Sequence, residues 1–187
     1  MKQQAQAWWK QGTQLAQQGQ EQVELFDQLV EQLSERDSHR MLPALMALQQ
    51  AGPLAIPALL AGLTHAHTKV RRNCVDIIDH GGYGADGRCI DALLPLLHDH
   101  VPHIRRAVWH TLFCERCQDA SKCEVQPREK LDQVALLIEI GLNDPNPKLR
   151  GQLIDDLRQH QSDVRAQLAL EGMTQKYNIS ASKRGKQ

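Results

Sequence analysis

Aromatic side chains are scarce in this chain of 187 residues: Trp, Tyr and Phe together make up 4%. Such residues usually anchor sheet faces and large single cores. Their scarcity, beside abundant Leu and Ala, predicts helical packing. Net charge is missing as well, with Lys plus Arg equal to Asp plus Glu at 22 each. That argues against a dedicated nucleic-acid binder, whose footprint is a basic excess or stripe. There is no apolar run of 18 or more residues, so no transmembrane span is expected. The opening stretch MKQQAQAWWKQ lacks the hydrophobic core of a secretion signal. A cytoplasmic, reducing setting is the expectation, and there the five cysteines read as thiols or metal ligands before disulfides. Alternation of period two is absent, which excludes sheet. Neither G-x-S-x-G nor HExxH spacing occurs, and no Ser or Cys is framed by a turn and a base. GGYGADG (81–87) follows a helical pattern, not a strand, so it reads as a loop between repeats and not as a phosphate cradle. These absences lean against an enzyme.

What is present is repetition. HAHTKVRRNCVDIIDH (65–80), DHVPHIRRAVWHTLFC (99–114) and DPNPKLRGQLIDDLRQ (144–159) line up. Each is a polar turn, then an aliphatic residue followed by Arg, then an apolar helix. Val70-Arg71, Ile104-Arg105 and Leu149-Arg150 are equivalent. The first helix of each pair precedes it: IPALLAGL (56–63), IDALLPLL (90–97) and VALLIEIGL (134–142). From Val70 to Ile104 is 34 residues and from Ile104 to Leu149 is 45, so about eleven are inserted between the second and third units. Self-similarity at this period, built from helix pairs, is the mark of an α-solenoid, because one pair cannot bury its apolar face alone. Pro53, Pro102, Pro127 and Pro147 fall at or near helix starts. Asp99, Asn143 and Asp144 are placed to cap helices, and Gly52, Gly81, Gly82 and Gly84 punctuate helix ends.

The recurring D-x-x-x-x-V/I/L-R pattern, with Ala/Leu-rich flanking helices, resembles the HEAT repeat in its short bacterial form over residues 38–160. His65 replaces the Asp in unit one, and Gly151 replaces the second basic residue in unit three. The resemblance implies an all-α fold: a right-handed α-solenoid of antiparallel helix pairs, about eight or nine helices, with second helices lining the concave side. Residues 1–36 form a Gln-rich N-terminal cap, with the stripe Leu25, Phe26, Leu29, Val30 and Leu33. Trp8 and Trp9 are expected to pack as part of that cap. Residues 37–178 form the repeat domain, closed by a helix around 162–177, and 179–187 a disordered basic tail.

The sharpest local feature is HTLFCERCQDASKC (110–123), which opens the insertion. Cys114, Cys117 and Cys123 with His110 amount to a full tetrahedral zinc set, and a closed Cys3His site would be structural. The polar insertion has little apolar material with which to fold itself, and a metal would supply the missing stability. On one continuous helix His110 and Cys117 would lie about 10 Å apart along the axis. A shared ion therefore requires the helix to end near Cys114, or a fourth ligand other than His110. Cys114 as a core thiol, with Cys117 and Cys123 free or redox-paired, is the alternative. Cys74 and Cys89 fall at core positions and read as small buried hydrophobes.

Arg71, Arg105 and Arg150 recur with the repeat. The HEAT resemblance implies that each caps a neighbouring turn. Arg72 and Arg106 are less constrained and are candidates for partner binding. Trp109 is a third candidate if it faces the groove, although buried packing suits it equally. His65, His67, His98, His100 and His103 sit in successive turns and read as solvated turn residues. The function expected is a non-catalytic binding or scaffold module that presents its concave face to a protein or peptide partner, with a structural zinc in the insertion. The rival is an enzyme on nucleic acid of the kind the HEAT-like alkylpurine DNA glycosylases represent, with Trp109 beside Asp76 or Asp155. The phycobilin lyases have similar helical repeats, but no chromophore site is marked.

Overall fold

The computed structural model describes residues 18–114 and 131–177. Trp8, Trp9, Cys117, Cys123, Pro127 and the basic tail lie outside the described residues. All regular structure among the described residues is helical, with no strand. The chain divides into two compact units, Met1–Arg128 and Glu129–Gln187.

The first unit contains α1 (residues 18–32), α2 (Ser38–Ala51), α3 (Ile56–Gly62), α4 (Thr68–Gly81), α5 (Gly87–Leu93) and α6 (Pro102–Phe113). The second contains α7 (Gln133–Glu139), α8 (Pro147–Arg158) and α9 (Val164–Tyr177). Short 3-10 turns extend or link several of them, at Gly52–Ala55, Leu94–His98 and Gly141–Asn143 among others. Ser38–Gly62 is long and apolar enough, by length and composition alone, to cross a membrane. It is not one straight helix. Gly52, at φ 61, turns the backbone into the 3-10 segment between α2 and α3, and Ala44, Leu48, Ile56 and Leu59 are buried.

The repeat is visible in the packing. Val70, Cys74 and Ile78 on α4, Ile104, Val108 and Leu112 on α6, and Leu149, Leu153 and Leu157 on α8 are all buried. Each set is spaced i, i+4, i+8, the inward stripe of an amphipathic helix. Burying a large aliphatic side chain stabilises by about 1.5–3 kcal/mol, so these stripes are the main reason the helices stay where they are. Gly62 allows α3 to approach closely. A Cβ there would come within 2.5 Å of Cys74 Sγ and 2.9 Å of Val30 Cγ1. Gly82 ends α4 in the left-handed region at φ 74, where glycine carries no Cβ penalty.

The turns repeat as well. Arg71 Nη1 donates to His65 O at 2.8 Å, Arg105 Nη1 to Asp99 O at 2.6 Å and Arg150 Nη1 to Asp144 O at 2.6 Å. In every case the guanidinium reaches back six residues to the start of its own turn. The first residue of each turn also binds two residues ahead. Asp99 Oδ1 accepts from Val101 N–H and Asp144 Oδ1 from Asn146 N–H, both at 2.8 Å. His65 does the same with Nδ1, accepting from His67 N–H at 2.9 Å. A histidine thus substitutes for the aspartate by offering one acceptor at the same place. Asp99 and Asp144 are therefore not the helix N-caps that the sequence suggests. The caps are Val101, which makes no side-chain bond, and Asn146, which accepts from Lys148 and Leu149. Asn143 donates backward to Glu139 O. A short acidic side chain reaches only two residues on, and Pro102 and Pro147 then begin the helices without needing a capped N–H there.

Candidate partner groove

α4 and α6 lie side by side in the first unit, and a groove of about 460 Å³ runs between them. Arg72, Asp76, Asp79 and His80 line it from α4; His103, Arg106 and His110 line it from α6. On α4 these fall at i, i+4, i+7 and i+8, on α6 at i, i+3 and i+7. They are the polar stripes on the helix faces that the aliphatic stripes leave outward.

Arg72 is committed within the groove. Its Nε donates to Asp76 Oδ2 at 2.9 Å, its Nη2 lies 2.8 Å from Asp76 Oδ1, and its Nη1 donates to His103 O at 3.0 Å. It thereby ties α4 to the first turn of α6. Arg106, the residue equivalent to Arg72 one repeat later, is exposed and makes no ion pair among the described residues. His80 Nδ1 lies 2.7 Å from Asp76 O. His110 Nε2 lies 3.7 Å from Asp79 Oδ2, and Asp79 Oδ1 is a buried acceptor without a hydrogen-bond donor.

Trp109 does not line this groove. It is 5% exposed and stacks on Phe113, with ring centroids 5.3 Å apart and planes at 29°. Its Nε1 is buried without an acceptor. Asp76 is ion-paired with Arg72, and Asp155, in the other unit, with Arg158. Trp109 cannot stack on a base without leaving its packing.

Of the four expected metal ligands, only His110 and Cys114 fall among the described residues. α6 ends at Phe113, and Cys114 is extended at φ −78, ψ 118, with its N–H donating to His110 O at 2.8 Å. The axial separation that a continuous helix would impose on His110 and Cys117 therefore does not arise from α6. Among the described residues no three His, Cys, Asp or Glu side chains are grouped to hold a metal. A His110 that bound metal through Nδ1 would keep Nε2 toward Asp79, the usual carboxylate support of a metal-bound imidazole. The donor chemistry fits zinc to that extent.

The other cysteines and histidines have structural places. Cys74 and Cys89 are fully buried, and burial pushes the Cys74 thiol up to about 12, far from a nucleophilic thiolate. His65 and His67 cap their own turns through Nδ1, and His98 and His100 are exposed. The groove carboxylates Asp76 and Asp79 were not singled out as a pair by the sequence. An acidic residue on a polar helix face gives no sign of whether it meets water or a neighbouring helix.

Comparison with family models finds no match, and comparison with curated proteins finds none either.

Proposed function

We propose that this chain is a short HEAT-like right-handed solenoid that acts as a cytoplasmic, non-catalytic binding module, with the α4/α6 groove as part of the concave face that receives a protein or peptide partner. The observation that carries the reading is the groove itself. It joins two successive second helices, holds charges of both signs, and leaves the Arg106 guanidinium exposed beside the Arg72–Asp76 pair. The identical six-residue reach of Arg71, Arg105 and Arg150 supports the repeat assignment. A structural zinc on Cys114, Cys117, Cys123 and His110 belongs to the same proposal. When bound it would cross-link the insertion to the end of α6 and take no part in a reaction.

Affinity capture from native-host extract, with the parent chain and Arg106→Glu side by side, tests the groove. A partner should be retained by the parent and lost from the variant, while both give the same helical circular dichroism. Equal capture by both would place the partner elsewhere. A DNA titration run alongside separates the rival class: tight binding that falls steeply with salt would replace this reading with a nucleic-acid one.

A further inference from the structure

The burial of α1 is graded along its length. Its inward stripe, from Leu33 just past its C-terminal end back through Val30, Phe26 and Val23, is 0%, 5%, 9% and 57% exposed. The C-terminal end of the helix is fully packed, and the N-terminal end runs past its support. A small cavity of about 90 Å³ opens there, lined by Gly19, Gln22, Val23 and Phe26 on α1 and by Leu54, Pro57 and Ala58 opposite. Leu54, on the far wall, is 63% exposed. Gly19 adds no side chain to the gap, and a Cβ built on it would meet nothing within 4 Å. Two well-positioned walls therefore enclose an apolar space that their own side chains do not fill.

We infer that the occupant of this cavity is the chain's own N-terminal segment, with an indole of Trp8 or Trp9 as the group that enters. Three arguments select it over a second copy or a foreign helix. The first is size: about 90 Å³ accommodates one large side chain, whereas a stable protein interface needs about 800 Å² on each partner. The second is connection. The segment joins α1 at its open end, and nine residues lie between Trp9 and Gly19, so that the two can be up to about 33 Å apart when the chain is extended. The third is chemistry and tethering. Trp8 and Trp9 are the large aromatic side chains of the segment, and a covalent connection this short holds them at an effective concentration of about millimolar. An indole laid between Val23 and Leu54 removes both from water and closes the first edge of the helical array. This docking does not depend on the partner proposal for the α4/α6 groove.

The chain has three tryptophans, so Trp109→Phe leaves an emission that reports on Trp8 and Trp9 alone. In that full-length protein we expect blue-shifted emission and slow quenching by acrylamide. Adding Leu54→Glu, a change at an exposed position, should shift the emission to the red and raise quenching at least twofold, with unchanged helical circular dichroism. Water-exposed emission before the groove is altered, or emission indifferent to Leu54→Glu, overturns the inference. Protection that appears only as concentration rises, together with a dimer in sedimentation, overturns it in favour of a second copy. If Trp109→Phe does not fold, the parent chain labelled with 5-fluorotryptophan gives the same reading. Its fluorine resonances are assigned by Trp8→Phe and Trp9→Phe, and the Leu54→Glu response is then decisive.

Discussion

Arg71 of the first repeat grips Asp99 of the second: Nε donates to Oδ2 at 2.7 Å and Nη2 to Oδ1 at 3.2 Å. The two side chains are 8% and 6% exposed. Arg71 also donates to His65 O and Ala66 O, while Asp99 also receives Val101 N–H and, on its carbonyl, Arg105. One guanidinium thus fixes its own turn and the next one at once. A buried ion pair of this kind adds little over an apolar pair of the same shape, but removing one partner strands the other charge. Arg71→Ala and Asp99→Ala should each cost about 3 kcal/mol, read from urea unfolding. The double variant should cost less than the sum. Strict additivity would mean that the pair is not coupled.

The same pair sets an acid dependence. Burial pushes the Asp99 carboxyl up, but the hydrogen bonds from Arg71 and the Val101 N–H, with the Arg71 charge, outweigh it and hold the group below the ordinary Asp value. The unfolded chain then takes up the proton more readily than the folded one. This contribution is present above the unfolded Asp value of about 3.9 and is lost as pH falls below it toward the folded value. Urea midpoints measured from pH 7 to pH 3 should fall more steeply below about pH 4 for the parent than for Asp99→Asn. Matching acid limbs would remove Asp99 from the account.

Gly62→Ala tests the close approach of α3. The added methyl would crowd Cys74 Sγ and Val30 Cγ1 together, and overpacking of this kind costs about 1–3 kcal/mol. Combining it with Cys74→Ala removes the nearer contact and should recover part of the loss in thermal unfolding. A Gly62→Ala protein as stable as the parent would show that the neighbours yield freely.

Much of this was legible in the sequence, because it depends on spacing. The buried triplets Val70/Cys74/Ile78, Ile104/Val108/Leu112 and Leu149/Leu153/Leu157 follow from helical periodicity. A turn-binding use of Arg71, Arg105 and Arg150 is what the HEAT resemblance implies, and their recurrence alone would suit a basic ladder as well. What the sequence misplaced depends on reach and facing. Asp99 and Asp144 bind two residues ahead rather than capping the helix, because their side chains are short. Trp109, one of two alternatives on paper, lies against Phe113, and the helical period does not say which of two neighbours an intermediate face meets. Asp79 enters the groove only because His110 arrives opposite it from another helix.

Cysteine reactivity should follow burial. Cys74 and Cys89 are enclosed, and Cys114 is half-buried at the end of α6. In folded protein freed of metal by a chelator at pH 8, a thiol reagent followed by peptide mapping should leave Cys74 and Cys89 unmodified over the time in which Cys114 reacts. After chelation and full unfolding all five cysteines should label. Rapid native labelling of Cys74 would require an opening of the α3–α4 packing that the buried stripe argues against.

The proposed zinc makes the most demanding prediction. Thiolate ligands must lose their protons to bind, and binding energy at a structural site is folding energy. The full-length protein purified under reducing conditions should carry one zinc per chain by native mass spectrometry. Cys114→Ser, Cys117→Ser and Cys123→Ser should each abolish it. His110→Ala should weaken it, and Asp79→Asn should weaken it about 10–100-fold if that carboxylate supports the imidazole. Removing the metal should lower the thermal midpoint of the parent and leave that of the Cys117→Ser protein unchanged, since that variant has none to lose. A metal-free parent that is as stable as purified protein would rule out the site. The cysteines would then be ordinary thiols, and α6 would end at Phe113 without help from a metal.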